Sequence, residues 1–166
     1  AIDLAGDEAN FPVKDHSEVF LKAKEKGLSI TIHAGEAAGA ESVDNALDLG
    51  AERIGHGVYS KEDPEVVQRL KEEGTVLEVC PISNRHTKAV SSVSEHPIKE
   101  YFDQGLRVSV NTDNRTVSNT SLTKEYEILM RELGFTIEDI KQMIVYGIEG
   151  GFMSEELKGK LVSELE

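Results

Sequence analysis

Cysteine is almost missing from this sequence: Cys80 is the one cysteine in 166 residues. A lone cysteine cannot close an intrachain disulfide, which agrees with a reducing compartment, and it excludes every cysteine-cluster zinc site. Long apolar runs are missing too. No stretch of about 18 apolar residues occurs and no charged start leads into an apolar segment, so neither a membrane span nor a signal peptide is visible. The expected location is therefore the cytoplasm, with no membrane partner. Positive charge is scarce, with 18 Lys and Arg against 31 Asp and Glu and a net charge of −13. That surplus opposes the attraction that dominates nucleic-acid binding and points to a small neutral ligand rather than a polynucleotide. The start also lacks a methionine and any polar lead-in: Ala1 runs at once into strand-like Ile2 and Leu4, and the chain reads as cut.

What is present is the composition of a soluble domain, 39% hydrophobic and 30% charged, in a chain long enough to bury one core. Four apolar, strand-like runs stand out: LSITI at 28–32, AERI at 51–54, VLEV at 76–79 and RVSV at 107–110, with 1–4 as a fifth. Helical patterns fill the gaps at 17–26, 42–49, 64–73 and 97–102. Glycines 27, 50, 74 and 105 follow their ends, and prolines stand at two of their starts. Strand starts lie 23 to 31 residues apart, room for only a strand, a helix and short loops. This spacing predicts an α/β fold with a parallel sheet and helical crossovers. After residue 110 only helices are expected, at 122–133, 136–147 and 154–165. The organisation is one domain, or part of one, over 1–166: βα repeats over 1–120 and a helical tail over 121–166.

The distinctive polar residues all follow strands: AGDE at 5–8, HAGE at 33–36, GHG at 55–57, CPISN at 80–84 and NTDN at 111–114. In parallel α/β folds the carboxyl ends of the strands form the ligand side, so these five segments predict one shared site. A single strand-end histidine is more often a hydrogen-bonded structural residue than a ligand. His33, His56 and Asp113 follow three different strands, however, and can converge. Imidazole and carboxylate together suit zinc, which makes water nucleophilic at neutral pH. Glu36 is then either a solvated loop carboxylate or a general acid or base beside the metal. Gly55 and Gly57 around His56 offer room for a close approach or the backbone of a tight turn. Asn114 is a turn residue or a reader of a heterocycle edge. Cys80 and Pro81 shape a loop, and His16, His86 and His96 are read as surface residues.

These segments, IDLAGDE at 2–8, HAGE at 33–36, RIGHG at 53–57, EVCPISN at 78–84 and SVNTDN at 109–114, resemble the adenosine deaminase family in its bacterial branch. The likeness extends to GGFMSEELKGKL near the end and so covers essentially the whole chain. It implies a (β/α)8 barrel with zinc at the carboxyl-terminal face and the hydrolysis of adenosine or deoxyadenosine to inosine or deoxyinosine and ammonia, a step of purine salvage. It further implies that His33 and Asp113 ligate zinc and that Glu36 protonates purine N1. His56 would orient or deprotonate the attacking water, which Asp113 would also hydrogen-bond. Gly6 would offer its N–H to the purine, and Asn114, where many members have a second aspartate, would donate to purine N7.

One departure is larger. The family's other two zinc ligands come from a His-x-His pair after its first strand, and no such pair occurs here. With about five of eight strands, the expectation is a partial (β/α)8 TIM barrel, about strands four to eight, with a C-terminal helical tail. Its open sheet edges would favour self-association. Adenine, AMP or a methylated nucleotide are alternative substrates within the same fold, and a non-catalytic half-barrel module is the alternative of another class.

Overall fold

The computed structural model describes residues 1–165; Glu166, the last residue of the expected tail, lies outside the described residues. Strands β1 (Ile2–Leu4), β2 (Ile30–Ala34), β3 (Arg53–His56), β4 (Val76–Val79) and β5 (Arg107–Val110) form one sheet in chain order. Every pairing is parallel. The helices are α1 (Ser17–Glu25), α2 (Ala40–Asp48), α3 (Pro64–Glu73), α4 (Pro81–His86), α5 (Ile98–Asp103), α6 (Arg115–Ser118), α7 (Leu122–Leu133), α8 (Ile137–Glu149) and α9 (Glu155–Ser163). The partial barrel and its helical tail are as the repeat spacing and the family likeness imply. No helix among the described residues is long and apolar enough to cross a membrane.

Each repeat ends its helix in the same way. The residue after the helix-terminal glycine donates its N–H to a carbonyl five positions back, as in Leu28 to Ala23, Ala51 to Ala46, Thr75 to Leu70 and Leu106 to Tyr101. This is the Schellman closure, and it needs a left-handed residue, hence the recurring glycine. It also explains a two-residue correction to the expected strands. Leu28 and Ala51 belong to these closures, so β2 and β3 start and end two residues later than the apolar runs, and His33 and His56 are strand residues rather than loop residues.

Residues in register across the sheet share a face. Ile32, Ile54, Leu77 and Val108 form one such row, are fully buried, and join a core with Phe20 of α1, Val43 of α2, Leu70 of α3, Tyr101 of α5, Leu129 of α7 and Met143 of α8. The opposite face is polar. There Thr31 Oγ1 donates to Glu78 Oε2 at 2.9 Å, and Arg53 pairs with Glu78. Phe152, between α8 and α9, stacks on the Arg53 guanidinium at 3.8 Å, so the tail covers the amino-terminal ends of the strands.

The turn after β3 is tightly specified. Gly57 is left-handed, at φ 65°, and a Cβ there would stand 2.8 Å from Leu77 Cδ2. Gly57→Ala is expected to lower the unfolding free energy by about 2 kcal/mol through backbone strain plus overpacking. Urea unfolding of the chain and the variant checks it; an unchanged midpoint would refute this account of the turn.

Candidate active site

The site starts from register. His33 on β2 lies opposite Gly55 on β3. A Cβ at Gly55 would come within 3.0 Å of His33 Nδ1, so this glycine is there for space, while Gly57 is there for conformation as well as space. His56, the last residue of β3, is itself left-handed at φ 66°, an uncommon state for a residue with a side chain. That turn brings its ring edge-on to His33, with the two Nε2 atoms 2.7 Å apart. His56 is 1% exposed.

Beyond β2 the chain reverses at Gly35 and presents four consecutive N–H groups to one carboxylate. Glu8, buried in the turn after β1, accepts from Gly35, Glu36, Ala37 and Ala38, with Ala37 N at 2.8 Å from Oε2. This cradle fixes the segment that carries Glu36. The Glu36 Oε1 atom in turn accepts from Asn84 Nδ2 at 2.8 Å and Thr87 Oγ1 at 2.9 Å, and lies 3.5 Å from His56 Nδ1. Asn84, wholly buried, also bonds His56 Nδ1 at 2.9 Å, and its Oδ1 meets His96 Nε2 at 3.1 Å.

Helix α4 delivers Asn84 and Ser83. It opens on Pro81 at its first turn and is pinned by the fully buried Glu125 of α7, which accepts from Ile82 N and Thr120 Oγ1. Burial pushes the Glu125 carboxyl up and the Cys80 thiol well above its ordinary value, so Cys80 is an inert residue beneath the site. Ser83 Oγ donates to Asp113 Oδ2 at 2.7 Å, and Asp113 is left-handed at φ 51°. Asn114 Oδ1 caps α6 by accepting from Thr116 N and Val117 N, so Asn114 is a turn residue whose Nδ2 stays available to donate. Gly6, at φ 141°, lines a small cavity with Glu8, Phe11 and His33, and nothing lies within 4 Å of where its Cβ would be.

Burial lowers the His56 pKa, an effect that His33 reinforces and Glu36 opposes. One ligand atom from each of His33, Glu36 and His56 falls within 4.8 Å of the others, a group able to hold a metal ion. Asp113 lies outside that triad. The sequence thus brings His33, Glu36 and His56 into contact, with Asp113, Asn114 and Gly6 on other loops at the same end of the sheet. Sequence reading placed the segments of Glu8, Ser83 and Asn84 at the site without giving these residues a role, and missed Thr87 and His96. It is corrected at His96, which is 3% exposed with its pKa lowered to about 3 by burial, rather than a surface residue. His86 is exposed as read, and His16 is half-buried.

The adenosine deaminase family model matches residues 1–166. The chain belongs to this family. An adenosine deaminase of Clostridium kluyveri is 48% identical over 165 residues, which are 99% of this chain and 47% of that protein. Among solved structures, an adenine deaminase from Arthrobacter aurescens superposes with a TM-score of 0.96 at 34% identity, over 99% of this chain and 51% of that one. A zinc-bound amidohydrolase from Burkholderia ambifaria gives 0.90 at 26% identity, over 99% and 46%. The deaminase-family chain spans about half the length of the curated relatives it matches.

Two outcomes are expected. Glu8→Gln leaves one acceptor oxygen for four N–H groups and should cost about 2 kcal/mol of stability. It should also speed amide exchange across 35–38, and unchanged exchange there would refute the cradle. For His96 the folded pKa lies below the unfolded value, so the unfolded chain binds the extra proton. Its stability contribution is complete above about pH 6.5 and is lost as pH falls towards 3, at up to about 1.4 kcal/mol per pH unit. The stability gap between wild type and His96→Gln should therefore shift in the variant's favour as the medium is acidified from pH 7 to 4.5, measured by urea unfolding; a pH-independent gap would contradict it.

Proposed function

We propose that this chain is the carboxyl-terminal part of a zinc-dependent hydrolase that converts adenosine or deoxyadenosine into inosine or deoxyinosine and ammonia. The observation that carries the reading is the contact of His33, Glu36 and His56 at the carboxyl end of a five-stranded parallel sheet in a chain of this family. The donor chemistry fits zinc: imidazole and carboxylate groups converge, with one ligand atom from each of His33, Glu36 and His56 within 4.8 Å of the others. His33 and Asp113 would hold the ion, with further ligands supplied from outside this chain. When bound, zinc supplies Lewis acidity that makes water nucleophilic near neutral pH.

The chain's own residues account for the remaining work. Glu36 Oε1 is occupied by Asn84 and Thr87, which leaves Oε2 as the oxygen that carries a proton to purine N1. Protonation there makes C6 electrophilic. His56 orients the water towards C6, and Asp113, held by Ser83, accepts its hydrogen bond. Addition of water at C6 and loss of the amino group as ammonia balance the reaction. Gly6 N–H and Asn114 Nδ2 bind the purine edge. The likeness to an adenine deaminase favours adenine as the second substrate reading, with AMP and methylated nucleotides behind it.

The test is a barrel completed with the amino-terminal half of the Clostridium kluyveri relative and assayed for zinc content and product. Adenosine and deoxyadenosine should outcompete adenine, AMP and N6-methyl-AMP; a strong preference for any of the latter overturns the substrate assignment. His33→Ala and Asp113→Ala should lose zinc, whereas Glu36→Gln should keep zinc and lose at least about 100-fold in kcat. Zinc loss in Glu36→Gln would instead make Glu36 a ligand. A zinc-free, stably folded oligomer would favour the half-barrel assembly module.

A further inference from the structure

The hydrogen bonds behind Glu36 and His56 have a direction, and it is set by a backbone group well outside the site. Ile98 N donates to His96 Nδ1 at 3.1 Å. A backbone amide can only donate, so Nδ1 of this buried ring is an acceptor and its single proton sits on Nε2. Nε2 therefore donates to the partner 3.1 Å away, which must be the carbonyl oxygen of Asn84 rather than its nitrogen. With Oδ1 assigned, the amide nitrogen faces the opposite way, and its two hydrogens match two acceptors, Glu36 Oε1 at 2.8 Å and His56 Nδ1 at 2.9 Å. The consequence for His56 is that its ring proton lies on Nε2, the atom 2.7 Å from His33 Nε2. His33 Nε2 is then the acceptor of that contact, its one lone pair directed at the His56 proton, and the His33 proton lies on Nδ1.

We propose that His96 is a positioning residue for the deamination site: through Asn84 it sets which atoms of Glu36 and His56 accept and which donate. This rests on the deaminase reading for its kinetic consequence and on geometry alone for the hydrogen-bond direction. The same buried geometry gives the relay its fidelity. Asn84 is 0% and His96 3% exposed, so water cannot substitute for a missing partner. Without the His96 donor, the Asn84 amide can rotate by half a turn and place its oxygen against the Glu36 carboxylate. The relay also assigns His56 a role that the family likeness leaves open. A ring with its proton on Nε2 has a donor and no lone pair at that atom, so it cannot take a proton there.

The discriminating pair is His96→Gln, which can still donate to Asn84 Oδ1, and His96→Met, which has similar bulk and no donor. In the completed, zinc-loaded barrel, His96→Met should lower kcat for adenosine by about 10- to 100-fold with KM within about threefold. His96→Gln should rescue kcat to within about threefold. Asn84→Asp preserves shape but removes both donated hydrogens, and should show the same kcat loss should His96→Met fail to fold. Equal kcat losses in His96→Gln and His96→Met, or a wild-type kcat in Asn84→Asp, would overturn the proposal. Nitrogen NMR of histidine-labelled protein gives a readout independent of turnover: the wild-type His56 ring should carry its proton on Nε2. A proton on Nδ1 would refute the relay outright. If wild type deaminates nothing, the deaminase reading fails and the ring-nitrogen result still decides the relay.

Discussion

The register between β2 and β3 is the constraint on which the site depends. Parallel pairing places His33 opposite a residue that must have no side chain, and Gly55 meets that need. One residue of slippage would set His33 beside Ile54 or His56 and turn its ring onto the face packed by α1 and α2. The register is held by burial, since Ile32 and Ile54 lie in the same row and are both wholly buried. Hydrophobic packing on one face thus fixes, to within a residue, the chemistry displayed at the end of the other.

Two of the four non-glycine residues in left-handed conformation among the described residues are His56 and Asp113. Each would relax at lower cost in an extended conformation, and each is held by surrounding contacts: His56 by Asn84 and by the Gly57 turn, Asp113 by Ser83 and the α6 cap that follows. Strain of this kind persists only where packing over-determines the backbone. Here the supports are themselves anchored at a distance, α4 by Glu125 and Asn84 by His96. A polar network so deeply buried is stabilising only when every member finds its partner, and the directional chain from Ile98 N to His33 satisfies that condition link by link.

The fold was legible because its signals are local. Gly27, Gly50, Gly74 and Gly105 mark helix closures that require left-handed backbone, and VLEV and RVSV coincide with β4 and β5. Where LSITI and AERI misled by two residues, apolar content and ladder membership diverged because a helix closure used the first apolar residues. Helices α4 and α6 were hidden because PISNRH and RTVS are short and polar, and their stability comes from Pro81, Glu125 and the Asn114 cap rather than from an apolar stripe. Within the site, residues that follow strands could be located from sequence because topology sends them all to one end. His96 could not, and for Glu8 the place was legible but the partners were not. Nothing in the local sequence says that His96 is buried against Asn84, or that Glu8 faces four amides contributed from 27 to 30 residues further along the chain.

The same topology separates two tasks. At the carboxyl ends of the strands lie the strained residues and the buried hydrogen-bond chain. At the amino-terminal ends Phe152 covers Arg53, and Gly150 packs so closely on Val76 that a Cβ would stand 2.7 Å from Val76 Cγ2. A tail that seals one mouth of the sheet adds packing where no ligand must enter, so the opposite mouth can hold left-handed backbone and buried polar groups without relying on its own hydrophobic burial. This division is general to barrels, where residues at the bottom serve stability and residues at the top serve chemistry. In this chain it has a specific physical form. The sheet's polar face runs from the Arg53–Glu78–Thr31 cluster at the sealed end to His33 at the open one, on the side of the sheet opposite the Ile32–Ile54–Leu77–Val108 row.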